Sequence, residues 1–270
     1  MGKAKDIILR PVTAQEANAL VKRVHYSGKV VNNSQLHIGV FYQGKLEGAM
    51  QFGPSLDKRK IQGLVSGTAW HEFIELNRMA FTDVLPRNSE SRALAVAMRL
   101  LRKHAPQVQW VVTFADGTQC GDGTIYRAAG FVLTGIKANN SIWAAPTGEQ
   151  FSDHALRNVD HHTQQHARAR AVVSRTTVTK DKHVRETGAA SMRPFIEAGF
   201  RPLHGFQLRY IYFIDPAYRQ RLTVPELPYS AIDDAGARMY KGERLDTRPV
   251  NGDDLATSEI GRFDSEPGAQ

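Results

Sequence analysis

The chain has 270 residues, of which 41% are hydrophobic and 23% charged, a composition typical of a globular protein with a sizeable core. Its formal net charge of +8 and pI near 9.6 favour a polyanionic partner, nucleic acid first. No apolar run approaches the roughly 18 residues that span a bilayer, and the single cysteine excludes an internal disulfide framework, so we expect no membrane partner and a reducing, cytoplasmic setting.

The N-terminal part of the chain predicts a strand, a helix and a hairpin. The run IILRPVT (7–13) predicts a short strand, and Thr13 with Glu16 forms a capping-box pattern ahead of a helix. That helix ends near HYSGK (25–29). The run LHIGVFYQGKLEGAMQFG (36–53) predicts two strands that turn at the Gln-Gly pair.

The middle of the chain alternates strands and helices. The strand FIELNRMAF (73–81) precedes a helix from about Ser89 to His104 that carries apolar residues on one face. The buried strand VQWVVTFAD (108–116) is followed by a short helix, TIYRAAGF (124–131), and by another strand, FVLTGIKANNSIW (131–143).

The remaining chain changes character. Residues 147–190 are polar, basic and rich in histidine, so we interpret them as an insertion or mobile arm before the last strand, FQLRYIYFIDP (206–216). We predict a single domain over 1–240 that contains this insertion, and a disordered tail over 241–270.

This order of elements resembles the GCN5-related N-acetyltransferase fold. The resemblance implies an α/β protein with a mixed, mostly antiparallel sheet flanked by helices, in which 1–240 is the catalytic domain. The short helix with IYRAAGF looks like the segment of that family whose tyrosine often serves as general acid, and the match falls on Tyr126.

The stretch VLPRNSESRAL (84–94) stands where that family binds the acyl-CoA pyrophosphate with a glycine-rich turn. This chain has no glycine there and carries Glu90, which repels phosphate at short range. We therefore expect acetyl-CoA to be a less favoured donor. The candidate donor-binding residues are Arg87, Asn88, Glu90 and Ser91. For the Ser91 hydroxyl, capping of the helix is the alternative to binding a donor oxygen.

A second resemblance covers roughly residues 20 to 230. The chain is similar to the Mom proteins of Mu-like phages in five runs: HYSGKVVNNSQLHIGVF, FIELNRMAF, PRNSESRALAVAM, VVTFADGTQCGDGTIYRAAGF and RYIYFIDPAYRQRLTVP. The resemblance implies conversion of DNA adenine to its N6-carbamoylmethyl form, which protects phage DNA from host restriction. The implied partner is double-stranded DNA with a flipped adenine, and tRNA is a further candidate partner.

Four residues are candidates for catalysis under this resemblance: Tyr126, His25, Asp116 and Arg78. His25 is a candidate base or a surface histidine. Arg78 is a catalytic cation or the partner of Glu75 or Glu72 in a salt bridge. Asp116 holds the adenine amino group, orients Arg78, or forms a turn before Gly117.

Other polar residues have weaker signals. Cys120 lacks an adjacent base, so a bystander thiol is favoured over a nucleophile, and HHTQQH (161–166) reads as a polar helix face rather than a metal site. We predict no metal. Candidates for stacking on a flipped base are Tyr26, Tyr42 and Phe52. The candidate phosphate-binding residues of the insertion are Arg168, Arg170, Arg175, Lys180 and Lys182.

The donor is not identified by any motif. A carbamoylmethyl group is isomeric with a glycyl group, so a glycyl ester, glycyl-tRNA, is the favoured donor. Two other functions stay open: an acyl-CoA-dependent N-acetyltransferase acting on a small amine or protein, and a non-catalytic DNA-binding protein. The sequence leaves the oligomeric state undefined.

Overall fold

The computed structural model describes residues 3–25, 27–117, 121–157, 191–240 and 243–244, together with the single residues 171, 173, 182 and 186. The contacts divide the chain into two compact units. The first comprises Met1–Ile136 and Gln207–Gln270, and the second comprises Lys137–Phe206. The single domain over 1–240 with an insertion at 147–190 stays a prediction.

A seven-stranded sheet forms the centre of the first unit. Its strands are β1 (Ile8–Pro11), β2 (Leu36–Tyr42), β3 (Lys45–Gly53), β4 (Phe73–Phe81), β5 (Trp110–Asp116), β6 (Val132–Asn139) and β10 (Gly205–Phe213), in the order β1-β2-β3-β4-β5-β10-β6. Four neighbouring pairs are antiparallel, and β4 pairs with β5 in parallel. The predicted fold class, a mixed and mostly antiparallel sheet flanked by helices, is confirmed.

The helices of the first unit are α1 (Ala14–Val24), α2 (Lys58–Gln62), α3 (Ser89–His104), α4 (Thr124–Ala128) and α7 (Ser230–Asp234), with 3-10 turns at Lys3–Asp6 and Pro216–Arg221. Of these, α1, α3 and α4 were predicted from the sequence, whereas α2, α7 and the 3-10 turns were not. The capping box of α1 is confirmed, because Thr13 accepts from the Glu16 amide at 3.2 Å and Glu16 accepts from the Thr13 amide at 2.8 Å. The predicted apolar face of α3 is buried through Ala93, Leu94 and Ala97.

The β2–β3 hairpin turns at the predicted dipeptide. Gln43 and Gly44 both have positive φ, at 50° and 79°, which is the geometry of the two-residue turn that matches the twist of a hairpin. The turn fixes the register of β2 against β3 and so the position of the far ends of both strands.

The second unit has its own small sheet and apolar cluster. Strands β7 (Ile142–Ala144), β8 (Gln150–Ser152) and β9 (Arg201–Pro202) form the sheet, in the order β8-β7-β9. The helices are α5 (Asp153–Arg157) and α6 (Arg193–Glu197). Phe151, Leu156 and Val173 are buried in the cluster, so part of the predicted arm is core. The single predicted strand over 131–143 is two strands, β6 and β7, in different sheets.

Two short helices end in the same way. After α4, Gly130 has a φ of 90° and the Phe131 amide donates to the Tyr126 carbonyl at 3.0 Å. After α6, Gly199 has a φ of 89° and the Phe200 amide donates to the Phe195 carbonyl at 2.9 Å. This 6→1 bond is the Schellman arrangement, and it fixes the backbone of Tyr126.

A short strand pair stands at the start of the predicted tail. Strand β11 (Met239–Tyr240), just before the tail, pairs with β12 (Glu243–Arg244), while 241–242 and 245–270 lie outside the described residues. Among the described residues, no helix combines the length and hydropathy needed to cross a membrane.

Candidate functional site

The candidate site lies where β4 and β5 separate. These parallel strands pair from Phe73 opposite Trp110 to Leu76 opposite Thr113. Arg78 stands two residues beyond the last pair on β4, and Asp116 stands three residues beyond it on β5. Because ligands bind outside the carboxyl ends of parallel strands, both predicted site residues lie at the expected end of the sheet.

An irregularity in β4 supports this assignment. Gln51 of β3 lies opposite Arg78, whereas Phe52 lies opposite Leu76, so Asn77 is an extra residue in β4. Such bulges re-aim side chains and are common beside active sites. Asn77 is buried, and Arg78 donates to the carbonyls of Asn77 at 2.8 Å and Lys29 at 3.3 Å.

The structure brings His25 and Arg78 together. His25 follows α1, and its Nδ1 accepts from the amide of Ser27 at 3.2 Å and lies 2.8 Å from the Ser27 hydroxyl. Burial, and then the positive charge of Arg78, lower the pKa of His25 to about 3. The imidazole is therefore neutral at physiological pH and, since Nδ1 accepts a hydrogen bond, carries its proton on Nε2. The base role of His25 stays a prediction, and this pKa makes His25 a weak base.

Glu75 is a half-buried carboxyl group in the same region, and sequence reasoning treated it only as an ion-pair partner. Burial raises the pKa of Glu75, opposed by hydrogen bonding from Ser55 and Asn77 and by the charge of Arg78. Among the described residues, no ion pair joins Arg78 to Glu75 or Glu72; Arg78 donates to main-chain carbonyls instead. A carboxyl group with a raised pKa is typical of a proton-transfer group.

The loop over residues 29–35 packs against the ends of β3 and β4. Asn33 donates to the Pro54 carbonyl at 2.8 Å, and the Ser34 hydroxyl donates to Asn77 at 3.1 Å. Gly53 allows the close approach: a Cβ at Gly53 would lie 2.5 Å from the Asn33 carbonyl oxygen and 2.7 Å from the Asn77 side-chain oxygen. The loop therefore lies directly against the end of β3.

Two polar atoms in this part of the first unit are buried and have no hydrogen-bond partner in the structure. They are Asn33 Oδ1 of the loop and Gln51 Oε1 of β3. Gln51 is fully buried, and its amide nitrogen already donates to Asn18 at 2.8 Å. Unsatisfied buried acceptors cost free energy unless a donor reaches them, so this region is suited to a ligand that carries N–H groups.

Tyr126 lies in a second cluster, after β5. Its ring is 5.4 Å from Tyr210 and 5.6 Å from Phe131, and Tyr126 is half-buried. Burial raises the pKa of Tyr210, whose hydroxyl donates to the Asp122 carbonyl. The Tyr210 hydroxyl is therefore hydrogen-bonded to the loop before α4. The Tyr126 ring is positioned by contacts with the Tyr210 and Phe131 rings, and its backbone by the end of α4.

The predicted donor-binding residues surround the start of α3. Asn88 has a φ of 67° and makes no side-chain cap, and the Ser91 hydroxyl donates to the Asn88 carbonyl at 3.3 Å. Arg87 and Asn88 are exposed, and Glu90 is half-buried in the first turn. The half-buried Arg92 has a buried Nε without a hydrogen-bond partner. A role in binding a donor stays a prediction for these residues.

Several predicted residues cannot be assessed. Tyr26, Cys120 and the histidines of 161–166 lie outside the described residues, as do Arg168, Arg170, Arg175 and Lys180. Lys182 is described; it is exposed and 3.6 Å from Glu186. Phe52 is fully buried in the core and is unsuited to stacking on a base. Within the described part of the chain, no group of three or more His, Cys, Asp or Glu side chains is placed to hold a metal ion.

The pKa of His25 has a consequence for stability. The unfolded histidine binds a proton near pH 6.5 and the native one near pH 3, so between these values the unfolded state binds more protons. The free energy of unfolding should fall as the pH drops from 6.5, by up to about 1.4 kcal/mol per pH unit. We expect His25→Gln to lose this part of the pH dependence. Urea unfolding of both proteins across this range measures it.

Glu75 affects the pH dependence of the free energy of unfolding with the opposite sign. Its pKa is raised in the native state, so protonation of Glu75 at low pH stabilises the folded protein. Its contribution is common to both proteins and cancels in the comparison. If the free energy of unfolding changes equally with pH in the wild type and in His25→Gln, the pKa of His25 is not lowered in the native state and the prediction is wrong.

Comparison with known proteins gives one family. The model of the Mom protein family matches residues 6–231. The chain is 34% identical over 178 residues to the methylcarbamoylase mom of Escherichia phage Mu, covering 66% of this chain and 73% of that protein. The matched region includes every residue of the candidate site.

Solved structures with similar folds are N-acetyltransferases. The ribosomal-protein-S18-alanine N-acetyltransferase from Escherichia coli is 14% identical, with a TM-score of 0.37, covering 53% of this chain and 88% of that one. The spermidine/spermine N-acetyltransferase from Vibrio cholerae is 6% identical, with a TM-score of 0.41, covering 81% and 98%.

Proposed function

Because the chain belongs to the Mom protein family, we propose that it is a DNA-modifying transferase that converts adenine to N6-carbamoylmethyladenine. The observation that carries the proposal is the identity with the phage Mu protein, whose name describes a methylcarbamoylase. The net charge of +8 supports a nucleic-acid substrate. Of the site residues named from the sequence, Arg78 and Asp116 lie beyond the last β4–β5 pair, Tyr126 follows β5, and His25 follows α1 and lies near Arg78.

The substrate sets the first requirement. The amino group of adenine is a poor nucleophile because its lone pair is delocalised into the ring, and in duplex DNA the base is paired and stacked. The enzyme therefore flips the adenine out of the duplex, at a cost of a few kcal/mol. We propose that the flipped base enters the region of unsatisfied acceptors beside Gly53, where its N–H groups find partners.

The proposed reaction has two steps. The adenine N6 attacks the carbonyl carbon of a glycyl ester, the ester C–O bond breaks, and one N6 proton is lost while the leaving oxygen gains a proton. The free amine of the glycyl group then attacks C6 of the ring, and the original C6–N6 bond breaks. The product is the isomeric carbamoylmethyladenine, so the second step needs no co-reactant.

Four groups have proposed roles in the first step. Tyr126 donates the proton to the leaving oxygen as general acid, and Arg78 stabilises the charge on the tetrahedral intermediate. Asp116 accepts a hydrogen bond from the adenine amino group. Glu75 takes the proton from N6, since burial raises its pKa toward the operating pH. The neutral His25 positions Arg78 and the loop that Arg78 contacts.

We propose glycyl-tRNA as the donor. Acetyl-CoA fits poorly at the start of α3: every position from Arg87 to Arg92 carries a side chain, and the Ser89 amide already donates to the Pro86 carbonyl at 3.1 Å. Glu90 would repel a pyrophosphate and attract the cationic amine of a glycyl ester. The positive charge of the chain suits tRNA as well as DNA.

Mass spectrometry of nucleosides from the DNA of cells that express the protein tests the function. We expect an adenine derivative heavier by one glycyl unit. Unmodified adenine from cells with well-expressed, folded protein would overturn the proposal and favour an ordinary acyl-CoA-dependent acetyltransferase.

Labelled glycine tests the donor in the same experiment. Cells fed with glycine labelled at both carbons and at nitrogen should yield modified adenine that carries all three labels. Modified adenine without label would refute a glycyl donor and leave the modification itself established.

A further inference from the structure

Leu56 is a large apolar residue held almost entirely in solvent. Its side chain is 95% exposed, more than the other exposed large apolar side chains of the described residues, such as Ile8 at 65% and Val84 at 61%. The preceding residue, Ser55, is only 5% exposed. A buried residue next to a fully exposed leucine shows that the chain presents this side chain outward.

The segment that presents Leu56 is anchored. Ile61 and Leu64 are buried in an apolar cluster with Trp110. Gln62 donates to the Thr68 carbonyl at 2.6 Å, and Trp110 donates to the Thr68 hydroxyl at 3.2 Å. Leu56 is therefore displayed from a fixed backbone, which suits insertion into a partner better than a mobile loop does.

The helix that follows Leu56 is strongly basic. Arg59 and Lys60 are exposed, and the Lys58 ammonium lies 4.5 Å from the centre of the Trp70 ring. The adjacent carboxylate of Asp57 accepts from the Lys60 amide as the cap of α2. The surface beside Leu56 thus offers two solvent-facing cations to a polyanion.

This surface adjoins the candidate site through the residues before Leu56. Ser55 hydrogen-bonds with the carboxyl group of Glu75, and the neighbouring Pro54 carbonyl accepts from Asn33 of the loop over 29–35. Leu56 therefore directly follows two residues that contact the candidate site.

We propose that Leu56 is a wedge that enters the DNA base stack beside the target adenine, while Arg59 and Lys60 bind the flanking phosphates. Apolar wedges unstack bases and stabilise the opened duplex, and cations fix the register without reading sequence. The proposed occupant is duplex DNA, and the inference rests on the proposed function. Sequence reasoning named only aromatic residues for this task, and of these Phe52 is buried.

Leu56→Ala is compared with Ile8→Ala, which truncates another exposed apolar side chain. We expect Leu56→Ala to lower the modified fraction of adenine in cellular DNA about tenfold or more, whereas its Kd for a short DNA duplex changes less than about threefold. Ile8→Ala should match the wild type in both measurements.

A fluorescent probe separates a wedge from a folding defect. Wild-type protein should raise the emission of 2-aminopurine placed at adenine positions of a duplex, and Leu56→Ala should not. When the 2-aminopurine lies opposite an abasic site, where little unstacking is needed, both proteins should give the same emission.

The cations have their own test. Arg59→Gln/Lys60→Gln should weaken duplex binding and lower the slope of log Kd against log salt concentration by about 2, at about 0.9 per phosphate contact. The control Lys5→Gln/Lys45→Gln removes the same charge from other exposed positions and should keep the wild-type slope.

The failure of this inference differs from failure of the proposed function. The wedge is refuted if cells that express the wild-type protein contain modified adenine and Leu56→Ala gives the same modified fraction and the same 2-aminopurine emission as the wild type. If the wild type leaves adenine unmodified, the proposed function fails, and the fluorescence and salt measurements still decide whether this surface opens DNA.

Discussion

Tyr126→Phe should abolish adenine modification while leaving the protein folded. The change removes one hydroxyl and keeps the ring, whose contacts with Tyr210 and Phe131 lie at 5.4 and 5.6 Å. The backbone hydrogen bond from Phe131 to the Tyr126 carbonyl is also unaffected. General acids contribute about 100-fold to 10,000-fold to rate, so we expect the modified fraction of adenine to fall at least about 100-fold. Nucleoside mass spectrometry measures the loss.

Tyr212→Phe is the matched control. Tyr212 is also half-buried and its ring also contacts Phe131, at 5.2 Å, but it has no role in the proposed reaction. It should modify DNA at the wild-type level. A tenfold loss of activity corresponds to an increase of about 1.4 kcal/mol in the activation free energy. If Tyr126→Phe loses less than this, the general acid is another group.

Gly53→Ala should distort the pocket without changing any polar side chain. The new Cβ would lie 2.5 Å from the Asn33 carbonyl oxygen and 2.8 Å from the Ser34 Cα, both backbone atoms that move only with the loop. Overpacking of this kind costs about 1 to 3 kcal/mol of stability. Because a displacement of about 1 Å can cost about 100-fold in rate, we expect a loss of modification much larger than the loss of folded protein.

Gly63→Ala is the control for this change. Gly63 has a φ of −65°, and its added Cβ would be 3.5 Å from the nearest atom, an ordinary contact. The variant should be as stable as the wild type or slightly more stable, and it should modify DNA normally. Normal modification by Gly53→Ala would show that the loop over 29–35 tolerates displacement and does not define the pocket.

Local patterns predicted the frame of the site well. The bounds of α3, the capping box of α1 and the hairpin turn at Gln43 all depend on residues close together in sequence, and all are confirmed. These features place β4 and β5 side by side. They also place Arg78 and Asp116 at one end of the sheet.

The environment of Glu75 was missed because it depends on contacts between distant residues. The sequence named Glu75 only as a salt-bridge partner for Arg78, whereas in the structure burial raises its pKa and Ser55 and Asn77 hydrogen-bond with it. The pKa of His25 likewise depends on its burial and on the distant Arg78. Leu56 could not be identified from the sequence, because it belongs to no periodic pattern and single exposed leucines are common on protein surfaces. Its role is suggested only by the anchored residues around it.

The order of the strands determines when the central sheet can be completed during translation. Strand β10 lies between β5 and β6, although some 65 residues of the chain separate β10 from β6. A growing chain therefore leaves β5 with an open edge until residues 205–213 emerge, and closing so long a loop is slow. Tyr210, which packs against Tyr126, belongs to that late strand. The contact between Tyr126 and Tyr210 therefore forms only after residue 210 has been translated, and a product that ends before β10 lacks this contact.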